Sequence, residues 1–317
     1  MHNEAGLAVY HLRFLVEARD PIHFGAQAGA QLRGALYEAL RAQTCAGEGI
    51  QHDPRHAEHC PVCWLMAREA PTARRGKDVP RPFTIRPPYG SITHYPPGTR
   101  FQFGMTLFGS AFRLFPYVAL ALPQMAKMGI GADRGRFELC AVEGVDLLTG
   151  RYEVLMQPGF RAVHQPKLWV TPNHIKAQAG RLSPHRLTLR FVTPTRLTEK
   201  SEPVRIPEFR IVIARLLERV DMLRAEYGGE TITSPYDLLT AAAHKVNLVK
   251  DCTVWQEIRS HSARTGTNSP ISGFIGEATY EGYLAPFLPW LLWGQCVQIG
   301  KDTVKGNGVM ELVEISA

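Results

Sequence analysis

The chain has 317 residues, 45% hydrophobic and 21% charged, an ordinary globular balance with room for about two domains. Thirty-six Lys and Arg against 29 Asp and Glu give a net charge of +7, which favours a polyanionic partner over an acidic surface or a neutral one. The N-terminus lacks a signal-peptide core, and the longest apolar run, "LAPFLPWLLWGQCVQIG", is broken by Pro286 and Pro289; six cysteines are too few for a disulfide framework at this length. The expectation is a soluble, reduced, cytoplasmic protein with no membrane partner.

In chain order, "VYHLRFLVEA" (9–18) alternates as a strand does, and "AQAGAQLRGALYEALRAQ" (26–43) has helical spacing through Leu32, Leu36 and Leu40. A Cys/His-rich insert occupies 44–80. "PFTIRP" and "TRFQFGMTLFG" (99–109) predict strands, "AFRLFPYVALALPQMAKMG" (111–129) a helix distorted at Pro116, and "RFELCAVEGVDLL" (136–148) a strand. Without the insert the order is βαββαβ. Between Glu153 and Glu199 no acidic residue occurs, while Arg161, Lys167, Lys176, Arg181, Arg186, Arg190 and Arg196 do. This basic stretch is either a nucleic-acid contact or a solvated linker. The second half predicts a strand at 185–194, helices at 207–227 and 234–249, strands near 252–259 and 272–281, and a short helix at 284–293. It ends on a hairpin, "QCVQIG" and "GVMELVEI", around a glycine loop. Two βαββαβ copies make an α+β protein of two tandem ferredoxin-like domains, spanning 1–158 and 185–317, with a basic linker over 159–184.

The glycine loop, "GKDTVKGNGVMEL" (300–312), matches neither common nucleotide motif. A P-loop needs Lys after its second glycine, and Asn307 stands there; a dinucleotide fingerprint needs a third glycine where Glu311 stands. What remains is a basic loop that lets an extended phosphate backbone come close, through Gly300, Gly306 and Gly308 with Lys301 and Lys305. The insert poses a separate question. Cys60-x-x-Cys63 clips one side of a tetrahedral zinc, and Cys45 with His52, His56 or His59 completes it; the alternative is reduced cysteines packed under a loop. We take Cys45, Cys60, Cys63 and His59 as the candidate structural set. Cys140, Cys252 and Cys296 fall in strand-like runs and are expected in the core, with Leu216, Leu217, Val220 and Leu223 of the 207–227 helix.

Five stretches together resemble one family: "LRGALYEAL" (32–40), "GIGADRGRFEL" (129–139), "LRFVTPTRL" (189–197), "SGFIGEATYEG" (272–282) and the glycine loop. They are similar to the RAMP-superfamily endoribonucleases that process CRISPR precursor RNA. The resemblance implies two ferredoxin-like domains, repeat RNA held in a basic cleft, and a glycine loop on its phosphates. It implies cleavage without a metal cofactor by a ribose 2′-OH, leaving a 2′,3′-cyclic phosphate and a 5′-OH on the way to guide RNA. Such chemistry needs RNA, which alone carries the 2′-OH.

The reaction calls for a base, an acid and positive charge on the phosphate. In the family the catalytic histidine lies before, within or just after the first helix. Here His23 precedes it and His52, His56 and His59 follow it, so His23 and His56 are candidates, with Tyr37 of the helix assisting. Arg33 and Arg41 lie two turns apart on that helix. Arg259 and Arg264, in "RSHSARTGTNSP", are suited to RNA contacts or form a plain surface loop. Two other readings stay open: a non-catalytic RAMP subunit that holds guide RNA among effector-complex subunits, and a zinc-containing nucleic-acid-binding protein resting on the insert alone.

Overall fold

The computed structural model describes residues 6–45, 56, 59–67, 79–90, 92–158, 162–229, 235–262 and 267–313. The chain divides into two compact units. One holds Tyr10–Val145 and Arg151–Trp169; the other holds Val170 onward with Asp146–Gly150 and the residues before Tyr10.

In the first unit, alternation in "VYHLRFLVEA" builds β1 (Val9–Ala18), which turns Leu12, Phe14, Val16 and Ala18 into the core. Next come the two-residue β2 (Ile22–His23), α1 (Ala28–Thr44), α2 (Pro61–Ala67), β3 (Phe83–Arg86), the two-residue β4 (His94–Tyr95) and β5 (Arg100–Phe108). The unit closes with α3 (Phe115–Met128), β6 (Phe137–Val145) and β7 (Tyr152–Met156). The antiparallel sheet runs β3-β5-β1-β6-β7, the ferredoxin-like order extended by one edge strand. Leu32, Leu36 and Leu40 are buried on α1, which packs on α3. The expected distortion at Pro116 takes the form of a change of helix type: a 3-10 helix over Gly109–Leu114 passes into α3 at Phe115, and Pro116 sits in the first turn of α3, where its missing N–H has no partner to lose. The proline inside that helix is Pro123.

The second unit starts with α4 (Pro172–Ala179), capped by Thr171, within the stretch expected as linker. It continues with β8 (Arg186–Thr195), a hairpin of β9 (Leu197–Glu199) and β10 (Glu202–Val204), α5 (Phe209–Tyr227) and α6 (Tyr236–Ala243). Then come β11 (Asn247–Gln256), a hairpin of β12 (Arg259–Ser262) and β13 (Thr267–Pro270), β14 (Gly273–Glu281), α7 (Leu288–Val297) and β15 (Met310–Val313). Its sheet, β11-β14-β8-β15, repeats the ferredoxin-like order in antiparallel pairs. The protein is therefore α+β with two tandem ferredoxin-like folds.

Three expected elements are corrected here. The helix over 234–249 stops at Ala243, and "NLVKDCTVWQ" is strand β11, as its β-branched residues favour. "QCVQIG" is not a strand: Gln295–Val297 end α7, and the glycine loop joins a helix to a strand. Of the three cysteines expected in the core, only Cys296 is buried; Cys252 is exposed on β11 and Cys140 half-buried. Leu216, Leu217, Val220 and Leu223 are buried as expected. Among the described residues no helix is long and apolar enough to cross a membrane.

Candidate functional site

His23 ends the short strand β2, paired with His94 of β4. Its ring stacks on that of His94, centroids 4.1 Å apart, and its Nδ1 lies 2.7 Å from Asp133 Oδ2. All three side chains are exposed, while Phe24 and Tyr95, their immediate neighbours in the chain, are buried beside Phe101. With Nδ1–H donating to the Asp133 carboxylate, Nε2 is the ring nitrogen left to face a substrate. A histidine oriented by a carboxylate, beside a second histidine, can both take and give a proton.

The glycine pattern "GIGADRGRFEL" places that carboxylate. Gly131 has a positive φ of 79°, and a Cβ there would lie 2.5 Å from the His23 carbonyl oxygen, which accepts a hydrogen bond from Ala132 N–H at 2.9 Å. Just after Asp133, Arg134 is paired with Glu38 of α1 at 2.6 Å and Arg136 with Asp20 at 2.6 Å. The 129–136 turn is thus fastened to the segment that carries His23. Tyr37 lies under the Arg41 guanidinium, 5.7 Å from its ring centre, and Arg33 donates to the Met66 carbonyl at 3.2 Å. Not every histidine faces outward: His11 is buried against Thr106 at 2.9 Å, and burial, then Arg86 and Arg13, hold its pKa well below the usual value.

The glycine loop is largely buried. Gly308 and Gly300 have positive φ, and a Cβ on them would lie 1.8 Å from the Ile299 oxygen and 2.4 Å from the Arg196 oxygen. Asn307 and Gln298, also buried, donate to the carbonyls of Ile271 and Asn307. The glycines serve close approach of backbone to backbone within the unit. Lys305 pairs with Asp302 at 3.1 Å, and Lys301 is exposed. Arg259 is exposed at the start of β12, and Arg264 lies outside the described residues. Two cations of the acid-free run meet carboxylates across the sheet: Arg186 pairs with Glu281 and Arg190 with Glu277.

In the insert, Cys45, His56, Cys60 and Cys63 present ligand atoms within 4.8 Å of one another. This group contains His56 in place of the expected His59, which is exposed outside it; His52 lies outside the described residues. Burial, then the neighbouring Cys60 thiol, push the Cys63 thiol up to about 12.

Residues 7–168, just over half the chain, match the family model described as AF_1859_N, N-terminal domain, and residues 189–310 match CRISPR-associated endoribonuclease Cas6. Its residues 189–310 are a Cas6 endoribonuclease domain. Among solved structures it is similar to Thermus thermophilus Cas6 (TTHB231), 14% identical with a TM-score of 0.56, covering 98% of this chain and 100% of that one. The product complex of Cas6 (TTHB231) gives 15% and 0.55, over 96% and 99%. A partial Cas6-RT-Cas1–Cas2 complex gives 11% and 0.64, over 98% of this chain and 47% of that one. No curated protein matches the chain. Within this Cas6-family fold, sequence reasoning missed Asp133 and His94. Asp133 lies inside a quoted glycine pattern, so the signal was present; His94, in "SITHYPPG", had none until β2 and β4 paired.

Proposed function

We propose that this protein cleaves CRISPR repeat RNA within its own repeat sequence, using no metal, to release guide RNA. The Cas6 endoribonuclease domain supports an RNA-cleaving enzyme, and the His23–Asp133–His94 constellation carries the finer reading. His23 Nε2 takes the proton of a ribose 2′-OH, and the 2′-oxygen forms a bond to the adjacent phosphorus. The bond from phosphorus to the 5′-oxygen breaks, its electron pair stays on that oxygen, and a proton from His94 completes the 5′-OH. The other product keeps a 2′,3′-cyclic phosphate. Asp133 holds the Nδ1–H of His23 and stabilises the imidazolium that forms, as a carboxylate behind a histidine does elsewhere. Two imidazoles supply both proton transfers, so the chemistry has no step left for a metal-bound water. Lys301 and Arg259 are the exposed cations proposed to meet RNA phosphates.

Incubation with a CRISPR repeat RNA, taken from a neighbouring array where one exists, tests the reading. Cleavage should persist in excess chelator and leave a cyclic phosphate. A single 2′-deoxy substitution at the scissile nucleotide should abolish cutting and spare binding. Loss of cleavage in chelator, or cleavage of the deoxy substrate, sinks the mechanism. Tight binding with no cleavage at all favours the guide-holding subunit instead.

A further inference from the structure

Four potential metal ligands converge in a part of the molecule that the cleavage chemistry leaves unused. The carbonyl of His56 accepts from Cys60 N–H at 2.8 Å, and that of Cys60 from Trp64 N–H at 2.8 Å, the links of successive helical turns. These bonds bring His56 alongside Cys60, and Cys63 follows in the first turn of α2, so the three ligand-bearing residues gather on one side at the start of that helix. Cys45 arrives from elsewhere. It caps the C-terminus of α1, its N–H bonded to the Arg41 carbonyl at 3.1 Å, and its sulfur points back at this side.

The distances choose between occupants. A disulfide needs sulfurs about 2.05 Å apart, whereas Cys45 Sγ and Cys63 Sγ are 3.9 Å apart. A tetrahedral zinc with bonds of about 2.3 Å to sulfur and about 2.0–2.1 Å to nitrogen sets edges of roughly 3.8 Å between sulfurs and roughly 3.6 Å from sulfur to nitrogen. Cys45 Sγ lies 3.4 Å from His56 Nε2, and no pair of the four ligand atoms is more than 4.8 Å apart. Cys60 and Cys63 are buried and Cys45 and His56 half-buried, so the site is largely enclosed.

We propose that Cys45, His56, Cys60 and Cys63 bind one zinc ion as a closed structural centre that ties the end of α1 to α2. Three thiolates and one imidazole fill the tetrahedron and leave no position for a reactive water. His56 is thereby removed from the list of catalytic bases, and the insert becomes a clip between helices. The clip is joined by the hydrogen bond from Arg33 to the Met66 carbonyl.

Protein purified without a metal-affinity tag should contain about one zinc per chain. His56→Ala and Cys60→Ser should each lower that content several-fold, and His59→Ala should leave it unchanged. If the variants do not fold, wild-type protein stripped of metal and titrated with cobalt(II) still decides the matter. It should develop the visible absorption of a tetrahedral site and the near-ultraviolet band of thiolate ligation, saturating at one equivalent. Chelator should lower the melting midpoint by about 5 °C or more. Folded protein that contains no zinc and gives no thiolate band with cobalt overturns the proposal. So does full zinc content in His56→Ala. None of these readings depends on RNA cleavage, so the site and the nuclease reading can fail separately.

Discussion

Asp133 lies 2.7 Å from Nδ1 of His23, an exposed histidine at the end of a short strand, and the proposed orientation of that ring sets the order of mutational effects. His23→Ala should lower the single-turnover cleavage rate by about 10²–10⁴ fold, the usual value of a positioned base. RNA affinity should hold within a few-fold. Asp133→Asn keeps the shape but accepts no second charge, so it should lower the rate by roughly 10-fold or more, also without loss of binding. Equal rates for wild type and Asp133→Asn in a quench experiment would remove the carboxylate from the mechanism. His11 makes the opposite case, a buried imidazole the fold keeps neutral. Its folded pKa lies below the ordinary 6.5, so the unfolded chain binds the extra proton first. Stability from this residue is complete above about pH 6.5 and declines by about 1.4 kcal/mol per pH unit as pH falls towards the folded value. Urea midpoints at pH 7 and pH 5 should therefore differ more for wild type than for His11→Gln, which cannot titrate.

Elements place these residues by spending side-chain volume where backbones must touch. The glycine loop has this logic. α7 ends at Val297, whose carbonyl accepts from Arg219 Nε at 2.9 Å and Nη2 at 2.7 Å. The chain then turns back so tightly that Gly308 lies against Ile299. Gly308→Ala adds a Cβ into that carbonyl at positive φ and should cost at least about 1–3 kcal/mol in urea unfolding. Within this loop, the RNA contact we propose belongs to the exposed Lys301. Lys301→Ala should lower the magnitude of the salt slope of RNA binding by about 0.7, while Lys305→Ala, whose ammonium is held by Asp302, should change it little. Equal slopes for wild type and Lys301→Ala would assign the whole loop to structure.

At the scale of the molecule, two ferredoxin-like units carry separate tasks. The first holds both the His23 constellation and the Cys/His cluster, so a metal could act on stability and on chemistry through one unit. The two roles separate in time: chelator should lower the melting midpoint while cleavage at 25 °C proceeds at its original rate. A parallel fall in rate well below the melting midpoint would tie the metal to the reaction. The positive charge is less available than its count suggests, because Arg186 and Arg190 meet glutamates of β14 across the sheet.

What the sequence determined by itself is the pattern of burial. The alternation in 9–18, the leucine spacing of α1 and the repeated βαββαβ order all follow from local periodicity, which a chain carries whatever its surroundings. His23, the Cys60-x-x-Cys63 clip and the glycine patterns were legible for the same reason, as local clusters of chemically distinct residues. Tertiary structure alone decided which partners they meet. Asp133 lies 110 positions from His23, and His94 reaches it only because β2 pairs with β4. The choice of His56 over His59 depends on which imidazole meets the sulfur of Cys45, the residue that caps the far end of α1. The acid-free stretch looked cationic because its counter-charges arrive on a strand some 90 residues later. Periodicity is written in neighbours along the chain, whereas a site is made of neighbours in space.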